Sequence, residues 1–269
     1  MLLDLAHWLV LPAPLPARRL GYVGDSVRLA SRSRRCRAPW APHLAAAKAT
    51  VRAAIEGLAR RDTAVVLGSG LLDDVPIDAL ASAFRRVVLV DAVHPWRARW
   101  RARRHPNVSR VTHDLSGAQG LLLGARDAFG PLLPPVCRGA DLVVSANLLS
   151  QLPILPVARL EAAGRIGAWT DPEAFGRRIV AAHLDALAGL SARICLVTDR
   201  DEAEEDRYGR VRERIDLLYG IDPGPAPREW DWELAPFGEA YRDRRLVHRV
   251  SAWPDWRPAG ERPARERPA

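Results

Sequence analysis

The segment from Thr63 to His94, TAVVLGSGLLDDVPIDALASAFRRVVLVDAVH, restricts the fold of this chain more than any other. An apolar run ends in a glycine turn, a helical stretch follows, and a second apolar run ends in an aspartate. Short apolar strands that alternate with helices are typical of a parallel sheet buried on both faces. Because crossovers between such strands are right-handed, the pattern predicts a doubly wound sheet.

The alternation continues through the middle of the chain and changes near the C-terminus. After a third strand in VSRVTHD, ADLVVSAN predicts a fourth, a long helix follows over about 172–190, and RICLVTD predicts a fifth. WDWELAP and RRLVHRVSAW predict two further strands with no helix between them, which indicates an antiparallel hairpin at a sheet edge. We therefore predict an α/β fold with a doubly wound, mostly parallel sheet, an antiparallel C-terminal edge hairpin and N-terminal helices.

The order of elements divides the chain into three regions. Residues 1–60 are expected to form an N-terminal helical extension that acts as a lid, with helix breaks near Pro39 and Pro42. Residues 61–253 are expected to form a Rossmann-like domain. Residues 254–269 are rich in Pro, Arg and Glu, which predicts a disordered tail.

Composition narrows the setting of the protein. The 269 residues carry a formal net charge of +8, which permits an acidic partner such as nucleic acid. Part of this excess lies in the tail, so a nucleic-acid partner is left open but not favoured. The three cysteines are far apart with no CxxC pair, which favours a reduced, cytoplasmic setting. We expect the protein to be bacterial. The sequence has no signal peptide, membrane-length apolar run or metal-ligand spacing, so we expect neither a membrane partner nor a metal. Nothing in it indicates an oligomeric state.

The residues of the glycine turn limit the kinds of ligand that it can bind. A dinucleotide fingerprint needs a third glycine three residues after Gly70, where the pyrophosphate meets a helix N-terminus. This chain has Asp73 at that position, followed by Asp74. Two carboxylates would repel a diphosphate, so a nicotinamide cofactor is disfavoured. The simpler interpretation is that Asp73 or Asp74 caps the helix that starts near Pro76.

Four segments in this order resemble the class I (Rossmann-like) S-adenosylmethionine-dependent methyltransferases: VVLGSG, VVLVD, VTHDLSG and ADLVVSANLLSQLP. The two terminal strands are similar to that family's antiparallel edge. The resemblance implies S-adenosyl-L-methionine as cofactor and a small-molecule or protein acceptor. It implies that the glycines lie beside the amino-acid part of the cofactor, that one acid binds the ribose hydroxyls, and that a second meets the adenine amino group. These residues are, in that order, Gly68 with Gly70, Asp91 and Asp114.

Two positions depart from the family's pattern. Val66 stands where an acid is usual, and Leu72 stands where a third glycine is common. Either the site is remodelled around Asp74, which we include among the cofactor-binding candidates, or the chain is a catalytically inactive binding or scaffold protein. Asp91 and Asp114 also have simpler interpretations, as a cap of the next helix and as part of an ordinary turn.

Asn147 is the main candidate for contact with both cofactor and acceptor, because it follows the fourth strand and can donate and accept hydrogen bonds. Its alternative role is a cap of the next segment. His94 is a candidate base, although a histidine before a proline is more often a loop residue. Ser150 is a weaker candidate for substrate contact.

Two aromatic segments have a functional and a structural interpretation. Trp40 and His43 would line an acceptor pocket, or they would staple two helices together. HPWRARWRARRHPN combines arginines and tryptophans in a way that suits nucleic acid. Trp96 and Trp100, four residues apart, instead predict a core-facing stripe with a solvated arginine face, which is the interpretation we favour.

Overall fold

The computed structural model describes residues 10–126 and 128–258. Three helices come first, and eight strands with further helices follow. The helices are α1 (Leu15–Leu20), α2 (Tyr22–Arg35), α3 (Arg37–Ile55), α4 (Ile77–Ala83), α5 (Trp96–Arg103), α6 (Gln119–Leu122), α7 (Ile154–Ala163) and α8 (Pro172–Ala188). The strands are β1 (Thr63–Leu67), β2 (Arg86–Asp91), β3 (Val108–Thr112), β4 (Leu142–Ala146), β5 (Arg193–Asp206), β6 (Val211–Asp216), β7 (Arg228–Ala235) and β8 (Arg244–Trp253). Short 3₁₀ turns lie at Pro135–Gly139 and Leu149–Gln151.

The strands form one sheet in the order β3-β2-β1-β4-β5-β8-β7. The first five strands are parallel, and β8 runs antiparallel between β5 and β7. The predicted doubly wound, mostly parallel sheet with an antiparallel C-terminal hairpin is confirmed. The strand order reverses between β1 and β4, which is where ligands bind in open α/β sheets.

The sheet separates two apolar layers. Val66, Leu89 and Val144 pack on the side of α3, whereas Val65 and Val143 pack on the side of α8. Both faces are covered, as the continuously apolar strands predict.

Strand β5 is longer than predicted. Its first part pairs with β4, and after a bulge its second part pairs with β6, so the sheet extends beyond the carboxyl ends of the parallel strands. The extension is the segment RDEAEED, whose charges hide the strand pattern. Cross-strand ion pairs stabilise it, with Arg244 2.7 Å from Glu204 and Arg245 2.8 Å from Glu205.

The predicted breaks at the N-terminus are misplaced. Helix α3 runs through Pro39 and Pro42, and the chain breaks instead at Cys36, between α2 and α3. Pro39 lies in the first turn of α3, where its missing N–H has no partner to lose. At the other end, Trp256 is buried and donates its indole N–H to Pro223 O at 2.9 Å. The packed part of the chain therefore extends beyond Pro254. Residues 259–269 of the predicted tail lie outside the described residues.

The prediction that the tryptophans of α5 face the core is wrong. Trp96 is 39% exposed and Trp100 60% exposed, while Ala98 and Ala102 are buried. The helix packs on the sheet through its small residues, because two alanines allow a closer approach than two indoles.

The described residues offer neither a membrane span nor a metal cluster. None of their helices is both long and apolar enough to cross a membrane. They contain no cluster of three or more histidine, cysteine or acidic side chains arranged to hold a metal ion.

Candidate functional site

The glycine turn after β1 is tied to the end of β2. Gly68 (φ 63°) and Gly70 (φ 47°) both have the left-handed backbone that glycine adopts without strain. The N–H of Gly70 donates to Asp91 Oδ2 at 2.7 Å, and the N–H of Val93 donates to Asp91 Oδ1 at 3.3 Å. Burial raises the pKa of Asp91, and these hydrogen bonds act against that rise. Asp91 therefore fixes the shape of the turn in addition to any contact with a ligand.

The two glycines differ in what lies above them. A Cβ on Gly68 would lie 2.6 Å from Leu148 Cδ1, so the Leu148 side chain would have to move. A Cβ on Gly70 would meet nothing closer than Gly68 O at 3.7 Å. Leu148 therefore explains the glycine at 68, while the space beside Gly70 is open for a ligand.

Neither carboxylate of the turn caps a helix. The N-cap of α4 is Pro76, with no side-chain hydrogen bond to the helix, so the predicted capping role is wrong. Asp73 instead accepts a hydrogen bond from Ser33 Oγ at 2.8 Å and pairs with Arg97 and Arg101 at 3.0 and 3.1 Å. The charge of Asp73 is thus balanced by the helix after β2.

A cavity of about 450 Å³ lies beyond the ends of β2 and β3. Ala92, Thr112 and Asp114 line it from the sheet, and Pro14 and Ala17 line it from the N-terminal segment.

Asp114 is held by its own loop. Its carboxylate accepts hydrogen bonds from Ser116 N at 3.0 Å, Ser116 Oγ at 2.6 Å and Gln119 N at 2.8 Å. This is the ordinary turn that formed the alternative interpretation. Near it, the Tyr22 hydroxyl is buried without a hydrogen-bond partner, and burial together with the charge of Asp114 raises its pKa.

Asn147 joins residues from three distant parts of the chain. One end of its amide lies 2.7 Å from Asp74 Oδ2 and 3.1 Å from His43 Nε2. On the other side of the ring, the indole N–H of Trp230 donates to His43 Nδ1 at 3.1 Å. The backbone of Asn147 is left-handed, with φ 50°, a conformation that asparagine adopts more readily than most residues. The predicted candidates Asn147, His43 and Asp74 are therefore in direct contact.

The hydrogen-bond partners of His43 restrict where the protons of this group can lie. If the Asn147 amide nitrogen faces Asp74 and His43, the Nε2 atom of His43 must accept a hydrogen bond from it. The Nδ1 atom of His43 already accepts one from Trp230. A neutral imidazole carries one N–H and one lone pair, so it cannot accept at both nitrogens. With the amide oxygen facing them, His43 Nε2–H donates and Asp74 donates as a protonated acid.

Burial raises the pKa of Asp74 to about 6 and lowers that of His43 to about 4. The second arrangement therefore holds only where Asp74 is protonated, below about pH 6; above that pH the Asn147 N–H donates to the Asp74 carboxylate. The other end of the Asn147 amide is buried without a partner. That end is an N–H in the second arrangement and a carbonyl oxygen in the first, so Asn147 can hydrogen-bond a ligand in either.

A second polar group lies beside the first and joins the predicted candidate Ser150 to acidic and histidine side chains that sequence reasoning missed. Ser150 Oγ donates to Asp199 Oδ2 at 3.2 Å, and His248 Nδ1 lies 3.1 Å from the same oxygen. The Nε2 of His248 is 2.8 Å from Glu202 Oε2. Burial acts to lower the pKa of His248, but hydrogen bonds to Asp199 and Glu202 outweigh it and raise the pKa to about 9. His248 is therefore an imidazolium, and Asp199 Oδ1 remains buried without a partner.

The aromatic residues form a wall between α3 and the antiparallel strands. The indole of Trp232 stacks on His43, with centroids 3.9 Å apart and planes at 7°. Trp40 meets Trp232 edge-on at 5.2 Å and donates its indole N–H to Leu234 O at 2.9 Å. Trp40 thus fastens α3 to the strand β7, whereas its structural interpretation predicted a staple between two helices.

His94 lies under the glycine turn. It is buried, with Nε2 3.1 Å from Val111 O and Nδ1 3.5 Å from Ser69 Oγ. Burial lowers its pKa. These contacts join β1, β2 and β3 and do not bring His94 to Asn147.

A sequence signal for the missed residues exists but is weak. Trp230, Trp232 and His248 alternate along the two C-terminal strands with the period of two that marks one face of a sheet. Polar and aromatic residues on a face otherwise covered by a helix indicate a site. Only the pairing of β7 with β8 shows which of them meet.

Comparison with known proteins gives neighbours among solved structures alone. No family model and no curated protein matches the chain. The chain is similar to the N-methyltransferase NodS from Bradyrhizobium japonicum, solved with S-adenosyl-L-homocysteine (14% identity, TM-score 0.37, covering 77% of this chain and 85% of that one). It is also similar to 1,6-didemethyltoxoflavin-N1-methyltransferase from Burkholderia thailandensis, solved with 1,6-didemethyltoxoflavin and S-adenosylhomocysteine (18%, TM-score 0.37, 89% and 92%). A third is an S-adenosylmethionine-dependent methyltransferase from Leishmania major (12%, TM-score 0.37, 92% and 81%). The strand order itself defines the fold.

Proposed function

We propose that this protein is an S-adenosyl-L-methionine-dependent methyltransferase that acts on a small molecule or a protein. The observation that carries the proposal is the hydrogen bond from Gly70 to Asp91 where the strand order reverses, beside an open cavity. A glycine turn, an acid at the end of β2 and a cavity beyond β2 and β3 suit an adenosine group.

The residues present fit the nucleoside part of this cofactor. Asp91 and Asp114 would face its ribose and adenine, and the unpartnered hydroxyl of Tyr22 supplies a buried polar group at the same place. Gly70 leaves room for close approach. When bound, the cofactor supplies an electrophilic methyl group on a sulfonium.

The acceptor would lie near Asn147, His43 and Ser150. The unpartnered end of the Asn147 amide would orient it, which is the main task in an in-line transfer. An acceptor that loses a proton needs a base, and the unpartnered oxygen of Asp199 supports this residue in that role. The contacts of His94 do not favour it as the base.

The N-terminal helices would act as a lid, and the setting would be cytoplasmic. Pro14 and Ala17 line the cavity, which supports the first of these. Cys36, Cys137 and Cys195 are all buried free thiols, which supports a reduced compartment.

The alternative is a binding or scaffold protein without turnover. One observation favours it: Leu148 covers Gly68, the position where the amino-acid part of the cofactor would approach. Leu72, with φ 60°, adds a strained backbone where a glycine is common.

Calorimetric titration of the full chain with S-adenosylhomocysteine, with NAD in parallel, tests the proposal. We expect micromolar binding of S-adenosylhomocysteine and none of NAD. Binding of NAD alone would replace the proposal with a nicotinamide function. If neither binds, the turn is structural and the scaffold alternative takes its place.

A further inference from the structure

Helix α5 presents a basic and aromatic surface away from the glycine turn. Trp96 and Trp100 are both exposed. Arginine cations lie over both indoles, with Arg99 5.5 Å from the centroid of Trp96 and Arg104 4.8 Å from that of Trp100. Large exposed indoles are unusual on a soluble protein and mark interaction sites.

The helix divides its arginines into two groups. Arg97 and Arg101 point toward the glycine turn and pair with Asp73. Arg99 and Arg103, four residues apart, share the opposite side of the helix, toward β3. The exposed tryptophans lie between the two groups.

The second group has no acidic partner within the described residues. Burial is the largest cause of a lowered pKa of Arg110 on β3. The nearby positive charges of Arg99 and Arg103 lower that pKa further. The Nε atom of Arg99 and the Nη1 atom of Arg110 are buried without hydrogen-bond partners. Three clustered guanidinium groups, two of them with unused donors, are an arrangement that an oxyanion would complete.

We propose that Arg99, Arg103 and Arg110, with Trp96 and Trp100, form a binding surface for single-stranded nucleic acid. Backbone phosphates would supply the oxygens that the unused donors lack. Unpaired bases would stack on the indoles, as in other single-strand binders. A duplex holds its bases inside and would gain only the phosphate contacts, and an acidic peptide would leave the indoles unused.

The formal net charge of +8 favours the approach of a polyanion. The surface does not include Gly70, Asp91 or Asn147, so it is independent of the proposed cofactor site. Loss of nucleic-acid binding would leave the binding of S-adenosylhomocysteine unchanged, and the reverse also holds.

The test is fluorescence anisotropy of the full chain with a labelled oligo(dT) at several salt concentrations. The variant is Arg99→Ala with Arg103→Ala and Arg110→Ala. The control removes equal charge at three exposed arginines on other elements, Arg37→Ala with Arg52→Ala and Arg138→Ala. We expect the variant to bind at least tenfold more weakly. The slope of log affinity against log salt concentration should become shallower by about 2, because each lost phosphate contact contributes about 0.7. The control should change both far less.

A second variant separates stacking from charge. Trp96→Ala with Trp100→Ala should lower affinity about tenfold or more through lost stacking, with an unchanged salt slope. A thermal melt of each variant checks folding. The proposal is overturned if the control arginine variant weakens binding as much, if a duplex of equal length binds as tightly, or if the wild type binds no oligonucleotide at low salt.

Discussion

His248 Nδ1 lies 3.1 Å from Asp199 Oδ2, and both side chains are almost fully buried. Glu202 meets the other ring nitrogen at 2.8 Å. A buried imidazolium between two carboxylates has a strong preference for the charged form. His43 and His248 both contact the indole of Trp232, and burial keeps His43 neutral. Two histidines in one cluster therefore have opposite charge states at neutral pH.

The first prediction concerns these histidines. In an NMR titration, His248 should titrate near pH 9 and His43 near pH 4. Because the folded pKa of His248 is raised, its stabilisation is complete below the unfolded value of about 6.5 and is lost as the pH rises through about 9. Glu202→Gln should lower the His248 midpoint, while Glu213→Gln on the exposed strand β6 should not. A His248 midpoint near 6.5 in the wild type would contradict the assignment.

Asp74 is predicted to be the source of a pH dependence in mildly acidic solution. Its folded pKa of about 6 exceeds the unfolded value of 3.8, so the folded state holds a proton that the unfolded state releases. Its contribution to the free energy of unfolding is present below about pH 4 and is lost as the pH rises through about 6, at about 1.4 kcal/mol for each pKa unit. Asp74→Asn, which mimics the protonated acid, should remove this dependence in urea unfolding at pH 4.5 and 7.

Asp73→Asn is the matched control for that experiment. It should destabilise the protein at pH 7, because Arg97 and Arg101 lose a partner. It should keep most of the wild-type pH dependence, because burial, and not the charge of Asp73, is the largest cause of the raised Asp74 pKa. If Asp74→Asn and the wild type show the same pH dependence, Asp74 is ionised in the fold and the amide of Asn147 has the other orientation.

A third prediction tests why residue 68 is glycine. Gly68→Ala should destabilise the protein by about 2–4 kcal/mol, from a left-handed backbone and a clash with Leu148. Gly70→Ala carries the backbone strain without the clash and should cost about 1–2 kcal/mol. In a Leu148→Ala background, the cost of Gly68→Ala should fall toward that of Gly70→Ala, because only the 3.2 Å contact with the Cβ of residue 148 remains. An unchanged cost in that background would show that something other than Leu148 requires the glycine.

The fourth prediction concerns cofactor affinity. Asp91→Asn keeps the size of the side chain but replaces one of its two acceptor oxygens with an NH₂ donor. That NH₂ group would face either a backbone N–H of the turn or the ribose. We expect at least tenfold weaker binding of S-adenosylhomocysteine by calorimetry, with folding retained by circular dichroism. Asp185→Asn, at an exposed position on α8, should leave the affinity unchanged. Equal affinities of Asp91→Asn and wild type would remove Asp91 from the cofactor site.

Local patterns were sufficient for the parallel sheet and failed where long-range contacts decide. Continuous apolar runs predicted β1, β2, β4 and the first part of β5, because burial on both faces needs apolar residues at every position. The charged half of β5 was missed, since its arginine partners are about forty residues away on β8. The tryptophans of α5 were assigned to the core by spacing alone, whereas packing gave that face to Ala98 and Ala102.

By itself, the sequence determined the doubly wound sheet, the antiparallel edge and the glycine turn, because hydrophobic period and glycine conformation act over a few residues. Only the tertiary structure decided which polar groups meet. His43 lies 104 residues from Asn147 and 187 from Trp230 along the chain, yet their side chains are hydrogen-bonded. Such partners are chosen by strand register and by the packing of α3 on the sheet. The charge states of His43, Asp74 and His248 follow from those contacts, because burial and nearby charges set a pKa.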